Sequence, residues 1–307
     1  LPISIQGQKR FTLDDLLGGG STFWQLQPEN RYTQWWGNRA LETTPEEVKD
    51  LISGDTLFTV AQLNEWAGEN IVRNGHNLSF PYPKEPLALY STPEKRVLID
   101  FEKHTLAWSQ SVPAEAQHQD WHSGSRHLAF TLQGNLYLVT SDGEQRQLTT
   151  DGREYASYCG RGAKDQLAER NASGFWMGHS YFCMVYDDTE VGYLNLLHTL
   201  DNPPRLEQKK MPLPGGDAIR RYRLYWYNAD TQEGRLLPVA PNRDYNIQLD
   251  YDRGGDDIFF LRRSRSVDTL ELCRINPQTG DVRVVISEVC RPHVNVNMFH
   301  YHLLDHG

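Results

Sequence analysis

His118-Gln119-Asp120-Trp121, Arg126-His127-Leu128-Ala129-Phe130, Asn135-Leu136-Tyr137-Leu138-Val139 and Gln147-Leu148-Thr149-Thr150-Asp151-Gly152 follow one another within residues 118–152. They read as a strand ending in Trp, a turn rich in Ser and Gly, a short apolar strand, a Gly-Asn turn, an aromatic strand, and an Asp-Gly turn into a fourth strand. Four short antiparallel strands in about 35 residues form the unit of a β-propeller blade. A lone blade cannot bury both of its faces, so one such unit predicts neighbours of the same kind.

Those neighbours are found on both sides. Phe175-Trp176-Met177-Gly178-His179-Ser180-Tyr181-Phe182-Cys183-Met184-Val185 repeats the Trp, the turn and the apolar strand. Tyr222 to Asn228 repeats the aromatic strand after a long insertion at 187–220. Ile247–Tyr251, Asp257–Leu261, Leu270–Ile275 and Val282–Ile286 form a further four-strand pattern, with Pro277-Gln278-Thr279-Gly280-Asp281 as a hairpin turn. Upstream, Leu87–Tyr90, Arg96–Phe101 and Thr105–Trp108 suggest another unit, and a more degenerate one spans 31–72. The expected fold is all-β, an incomplete propeller of about five blades plus a partial sixth. Its divisions are a leader at 1–30, blades near 31–72, 73–113, 114–150, 151–240 and 241–288, and the start of another at 289–307. An unrelated antiparallel sandwich is the alternative architecture.

Composition narrows the function classes. The 307 residues carry a net charge of −9 and no basic stripe, which argues against a nucleic-acid partner. No apolar run approaches the roughly 18–20 residues of a membrane helix. The chain opens at Leu1 without a signal-peptide pattern, as a processed or trimmed chain would. Cys159, Cys183, Cys273 and Cys290 lack metal-type spacing, and a Cys273–Cys290 bridge is one of several open pairings. Gly18-Gly19-Gly20-Ser21-Thr22 is not followed by the lysine of a phosphate-binding loop. His300 and His302 would share one strand face, but a zinc site needs further placed ligands. No cofactor or metal is expected.

In order and spacing, these motifs resemble the N-terminal β-propeller of the dipeptidyl peptidase IV family, serine exopeptidases of the prolyl oligopeptidase clan. Trp121 through Val139 is similar to that family's Trp-Ser-Pro-x-Gly-x-x-Leu-Ala-Phe/Tyr blade. Gln147 to Gly152 is similar to its Leu/Ile-Thr-x-Asp/Thr-Gly strand end, and Asp187-Asp188-Thr189-Glu190-Val191 to its Asn/Asp-Asp-Thr-Glu-Val turn. Met211-Pro212-Leu213-Pro214-Gly215-Gly216-Asp217 resembles its Tyr-Pro-x-Ala/Pro-Gly turn, and Leu261-Arg262-Arg263 a Leu-Arg-Arg strand. Residues 8–30 resemble the leader of bacterial members.

The resemblance implies an α/β-hydrolase domain after the propeller, carrying Ser, Asp and His. No G-x-S-x-G occurs here; Gly178-His179-Ser180-Tyr181-Phe182 lacks the second small residue and reads as a blade strand, with Ser180 structural. The resemblance also implies that the propeller supplies two adjacent glutamates on a short helical insertion, and an arginine from an earlier blade, to hold a peptide's α-amino group. The corresponding window, Arg161 to Asn171, has no Glu-Glu pair. Asp165 and Glu169 stand i, i+4 apart and would share a helix face. They are the candidate substrate-binding residues, and an ordinary exposed helix face is the competing account. Leu87-Ala88-Leu89-Tyr90 occupies the strand where the arginine is sought, with Arg96 a distant substitute. Glu46-Glu47 is an adjacent pair, but Thr44-Pro45-Glu46-Glu47 reads as a capped helix start.

The expected function is therefore the propeller portion of a dipeptidyl peptidase IV-like enzyme, gating and binding peptide N-termini, with catalysis supplied by a hydrolase domain outside this chain. The expected partners are a peptide substrate and that hydrolase domain, with a second copy covering open end blades as the alternative to the domain. The expected location is periplasmic or secreted, with a signal peptide removed. The alternative is a non-catalytic propeller that binds a protein or peptide.

Overall fold

Short strands, the inner ones buried along most of their length, are joined by tight turns into a succession of antiparallel meanders. The computed structural model describes residues 10–26, 30–159, 174–240, 245–251 and 258–295. Two units divide the chain: Leu1–Thr92 with Arg96–Ser109, and Pro93–Lys95 with Gln110–Gly307.

In the first unit a short helix, α1 (Leu13–Leu16), is capped reciprocally by Thr12 and Asp15. Four strands then pair in sequence: β1 (Tyr32–Trp36), β2 (Arg39–Thr43), β3 (Glu47–Asp50) and β4 (Thr56–Thr59). Helix α2 (Val60–Ala67) follows at once, its first turn capped by the Thr59 hydroxyl and its end marked by Gly68 at φ +71°. The next meander is β5 (Leu78–Ser79), β6 (Leu87–Ser91), β7 (Lys95–Asp100) and β8 (Thr105–Ser111), whose last strand reaches across the unit boundary. Leu41, Val48 and Phe58 from one meander, Leu63 from α2, and Ala88, Val97 and Ile99 from the other share one core.

Thr44-Pro45-Glu46-Glu47 does not start a helix. The Thr44 hydroxyl accepts from the Glu46 and Glu47 amides as a cap would, yet Glu47 opens β3. Val48 is fully buried and pairs with Thr43, so burial and the ladder to β2 override the local capping signal. The Leu87–Tyr90 run is a buried strand, and Arg96 is buried in β7.

The second unit holds three larger sheets. β9 (Gln117–Trp121), β10 (Leu128–Leu132), β11 (Asn135–Val139) and β12 (Gln145–Gln147) form the meander on which the fold was read. Gln133 and Gly134, at φ +50° and +80°, make the two-residue β10–β11 turn. The Thr-Thr-Asp-Gly strand end has a structural purpose. The Thr149 hydroxyl accepts from the Leu136 amide, and the Asn135 side chain accepts from the Gly152 amide. A Cβ on Gly152 would lie 2.2 Å from the Gly134 carbonyl oxygen, so glycine is required at that approach.

The following sheet comprises β13 (Ala156–Tyr158), β14 (Gly174–Met177), β15 (Ser180–Asp187), β18 (Arg221–Asn228) and β19 (Glu233–Leu237). Its β15–β18 connection carries a separate hairpin, β16 (Tyr193–His198) with β17 (Arg205–Lys210). In the Asp187–Val191 turn, the Asp187 carboxylate accepts from the Thr189 amide and hydroxyl, while buried Asp188 accepts a forked pair of bonds from Arg220. The last described meander is β20 (Tyr245–Tyr251), β21 (Ile258–Ser264), β22 (Thr269–Ile275) and β23 (Val282–Val289).

Within this unit the meanders bury each other's faces. Ala129, Leu136 and Leu138 of one pack with Tyr181, Cys183 and Val185 of the next. The opposite face of that second sheet, through Phe182, Leu224 and Trp226, packs with Ile258, Phe260 and Cys273 of the third. Each fully buried Phe contributes roughly 1.5–3 kcal/mol through removal from water. Blades of a propeller associate in this way, and the all-β fold of four-stranded antiparallel blades agrees with the expectation. All four cysteines are free thiols, so Cys273 and Cys290 are not bridged.

Candidate functional site

One sheet edge is interrupted. β13 pairs with the C-terminal half of β15, Tyr158 opposite Val185, and β14 pairs with its N-terminal half, Gly174 opposite Cys183. The two short strands therefore act as one edge strand, broken between neighbouring register positions. β13 ends at Tyr158 and β14 begins at Gly174. Asp165 and Glu169, in the connecting stretch, lie outside the described residues.

The residues at the break are tied to β9 of the preceding meander. The Tyr181 hydroxyl, fully buried, donates to the Asp120 carboxylate and lies 3.3 Å from the Cys159 sulfur. The Trp176 indole N–H donates to the Asp120 carbonyl at 2.9 Å. A Cβ on Gly174 would sit 2.0 Å from the Tyr181 Oη and 2.7 Å from Asp120 Oδ2, so only glycine lets β14 pass over this pair. Burial holds the Tyr181 phenol well above its usual range, and the neighbouring Cys159 and Asp120 act in the same direction.

Above this pair, Gln119–Ser123 and Gly174–Gly178 line an open cleft of about 530 Å³. Trp176 is its dominant wall. The His122 ring stacks on it at 5.3 Å with an interplanar angle of 18°, and His127 lies 6.2 Å away. Burial lowers the His122 pKa, followed by the charges of His179 and then His127. Burial likewise lowers that of His127, with His179 and Arg146 adding to it against Asp142 and Asp230. Two half-buried imidazoles kept neutral beside an indole make an aromatic surface with a carboxylate at its base. That arrangement suits holding a ligand that is part apolar and part cationic.

The described residues offer no activated nucleophile at this place. Ser180 accepts a hydrogen bond from the Trp226 indole at 3.0 Å and is a strand residue of the sheet, as its sequence context implied. Burial pushes the Cys183 thiol well up, which keeps it inert. Among the described residues no group of three or more His, Cys, Asp or Glu side chains could hold a metal, and no helix is long and apolar enough to cross a membrane. Sequence reasoning missed Asp120, Tyr181 and Gly174 as a set. Only an acidic residue just before a strand-ending Trp hinted at it, because the partners stand 61 residues apart.

The fold so defined is that of a β-propeller built from four-stranded blades. No family model matches this chain, and no curated protein does. Solved structures do match. A candidate dipeptidyl aminopeptidase IV of Bacteroides ovatus ATCC 8483 superposes with a TM-score of 0.73 at 20% identity, over 94% of this chain and 41% of that one. Dipeptidyl peptidase 4 of Porphyromonas gingivalis superposes with a TM-score of 0.61 at 15% identity, over 93% of this chain and 43% of that one. At these identities the likeness is one of fold, and the chain spans about two fifths of each structure's length.

Proposed function

We propose that this chain is the propeller portion of a dipeptidyl peptidase IV-like serine exopeptidase, exported by a bacterium, that admits peptides and binds their free N-termini. The hydrolysis itself, acyl transfer from peptide to serine and then to water, belongs to a hydrolase domain outside these residues. The observation that carries the reading is the interrupted edge strand. Its two pieces end and begin beside the Asp120–Tyr181 pair and the Trp176 cleft, and Asp165 and Glu169 stand between them in sequence. In this reading those two carboxylates hold the α-ammonium group, and the aromatic cleft receives the adjoining side chain. A blocked amine would leave desolvated carboxylates unpaired, which is the source of selectivity for free N-termini.

The test is steady-state kinetics of the full-length protein with Asp165→Asn and Glu169→Gln, on dipeptidyl substrates with free and acetylated N-termini. A charge-assisted contact is worth roughly 1.5–3 kcal/mol, so kcat/KM for free-amine substrates should fall about tenfold to a hundredfold, mostly through KM. Unchanged kinetics would remove the clamp. The lack of a Glu-Glu pair between Arg161 and Asn171 favours a second reading, a non-catalytic peptide-binding propeller; full-length protein that binds such peptides without cleaving them would establish it.

A further inference from the structure

Elsewhere in the second unit, three arginines line one cleft of about 360 Å³. Arg220 stands just before β18, Arg263 is the penultimate residue of β21, and Arg265 lies in the turn that follows. The three differ in how their charge is used. Arg220 is forked onto Asp188, which is 3% exposed, and that pair is neutral as a whole. Arg265 donates to the carbonyl of Gly216, an uncharged partner, which pins the 211–217 turn without cancelling the cation. Arg263 is half-buried, and its guanidinium has neither a hydrogen bond nor an ion pair among the described residues. The Asp268 carboxylate, held ionised by the hydroxyls of Ser264, Ser266 and Thr269, forms no ion pair with Arg263 or Arg265 among the described residues.

Two guanidinium charges are thus left facing one concavity in a chain whose net charge is −9. Arg263 is half-buried and Arg265 exposed; like charges on one cleft repel, and an anion between them offsets that cost. Leu213, Pro214, Ile219 and the Tyr222 ring form the remaining wall. The wall gives an apolar body somewhere to lie, and a guanidinium fork matches the planar oxygens of a carboxylate or phosphate.

We propose that this cleft binds an anionic group, a carboxylate or a phosphate, carried on an apolar body, with Arg263 as its principal contact and Arg265 as the second. The site shares no residue with the proposed peptide clamp and stands whether or not the peptidase reading holds.

The experiment is a calorimetric titration of the 307-residue chain with phenylacetate, phenyl phosphate and inorganic phosphate. One of the two aromatic anions should saturate at one per chain, and more tightly than inorganic phosphate. A preference for phenylacetate identifies a carboxylate ligand, and a preference for phenyl phosphate a phosphate ligand. Arg263→Gln should weaken binding about tenfold or more, and Arg263→Lys should recover part of it, because charge is kept while the fork is lost. Affinity should also fall as salt is raised. The melting temperature of the unaltered chain should rise with the bound anion, a readout that needs no variant to fold. Lack of saturation up to about 10 mM, a range that covers weak specific sites, would overturn the proposal. So would binding indifferent to Arg263, or inorganic phosphate binding as well as both aromatic anions.

Discussion

Gly174→Ala is the most informative single change, because its consequence can be worked from distances. The backbone of Gly174 is not in the left-handed region, so alanine is conformationally acceptable and the effect is steric. The added methyl would lie 2.0 Å from Tyr181 Oη, 2.7 Å from its Cζ and 2.7 Å from Asp120 Oδ2. Tyr181 is fully buried and cannot swing away, so either β14 lifts from β15 or the Tyr181–Asp120 bond breaks. Overpacking of this kind costs roughly 1–3 kcal/mol. A lost hydrogen bond to a charged group costs roughly 1.5–3 kcal/mol. These are two routes of relief for one clash and do not sum fully, so the expected destabilisation is about 2–4 kcal/mol. Urea denaturation monitored by tryptophan fluorescence measures it, and the melting temperature should drop by roughly 2–4 °C for each kcal/mol. In a Gly174→Ala, Tyr181→Phe double variant the nearest obstacles become the ring carbon and Asp120 Oδ2, both at 2.7 Å, and the combined loss should fall short of the sum by about 1 kcal/mol or more. A Gly174→Ala chain within about 0.5 kcal/mol of the unaltered one, the range of an ordinary surface change, would refute the account of the broken strand.

Two further outcomes follow from the same geometry. His122 has a folded-state pKa below its ordinary 6.5, so its stabilising contribution is fully present above that value and is lost as pH falls through the lowered one. Denaturation midpoints should therefore decline from about pH 6.5 downward, before the carboxylates titrate, and His122→Gln should flatten that step; an imidazole that NMR shows titrating at or above 6.5 would contradict it. Arg220→Met should strand the buried Asp188 carboxylate and cost about 3 kcal/mol or more in urea denaturation, while Asp188→Asn together with Arg220→Met should recover much of the loss.

Much of the fold is legible along the chain because a blade is a local object. Its strands are neighbours in sequence, and its turns depend on residues such as Gly134 and Gly152 that few others could replace. Short apolar and aromatic runs separated by turn residues located the meanders, and the ordered motifs from Trp121 to Arg263 pointed to the propeller. Thr44 misled for an instructive reason. A hydroxyl that accepts two following amides begins a helix or turns the chain into a strand equally well, and only the pairing of β3 with β2 chose between them.

The sites were less legible, since they join segments that the sequence keeps apart. Asp120 reads as one polar residue before a tryptophan, and Arg263 as one cation in a strand. Their meaning comes from Tyr181 and Gly174 in the one case, and from Arg265 and the 211–217 turn in the other. The sequence alone determined the all-β meander, because strand period and turn residues act over a few positions. Only the tertiary structure decided which charges are cancelled and which are left facing a cleft, because Coulomb interaction and burial depend on distance in space rather than along the chain.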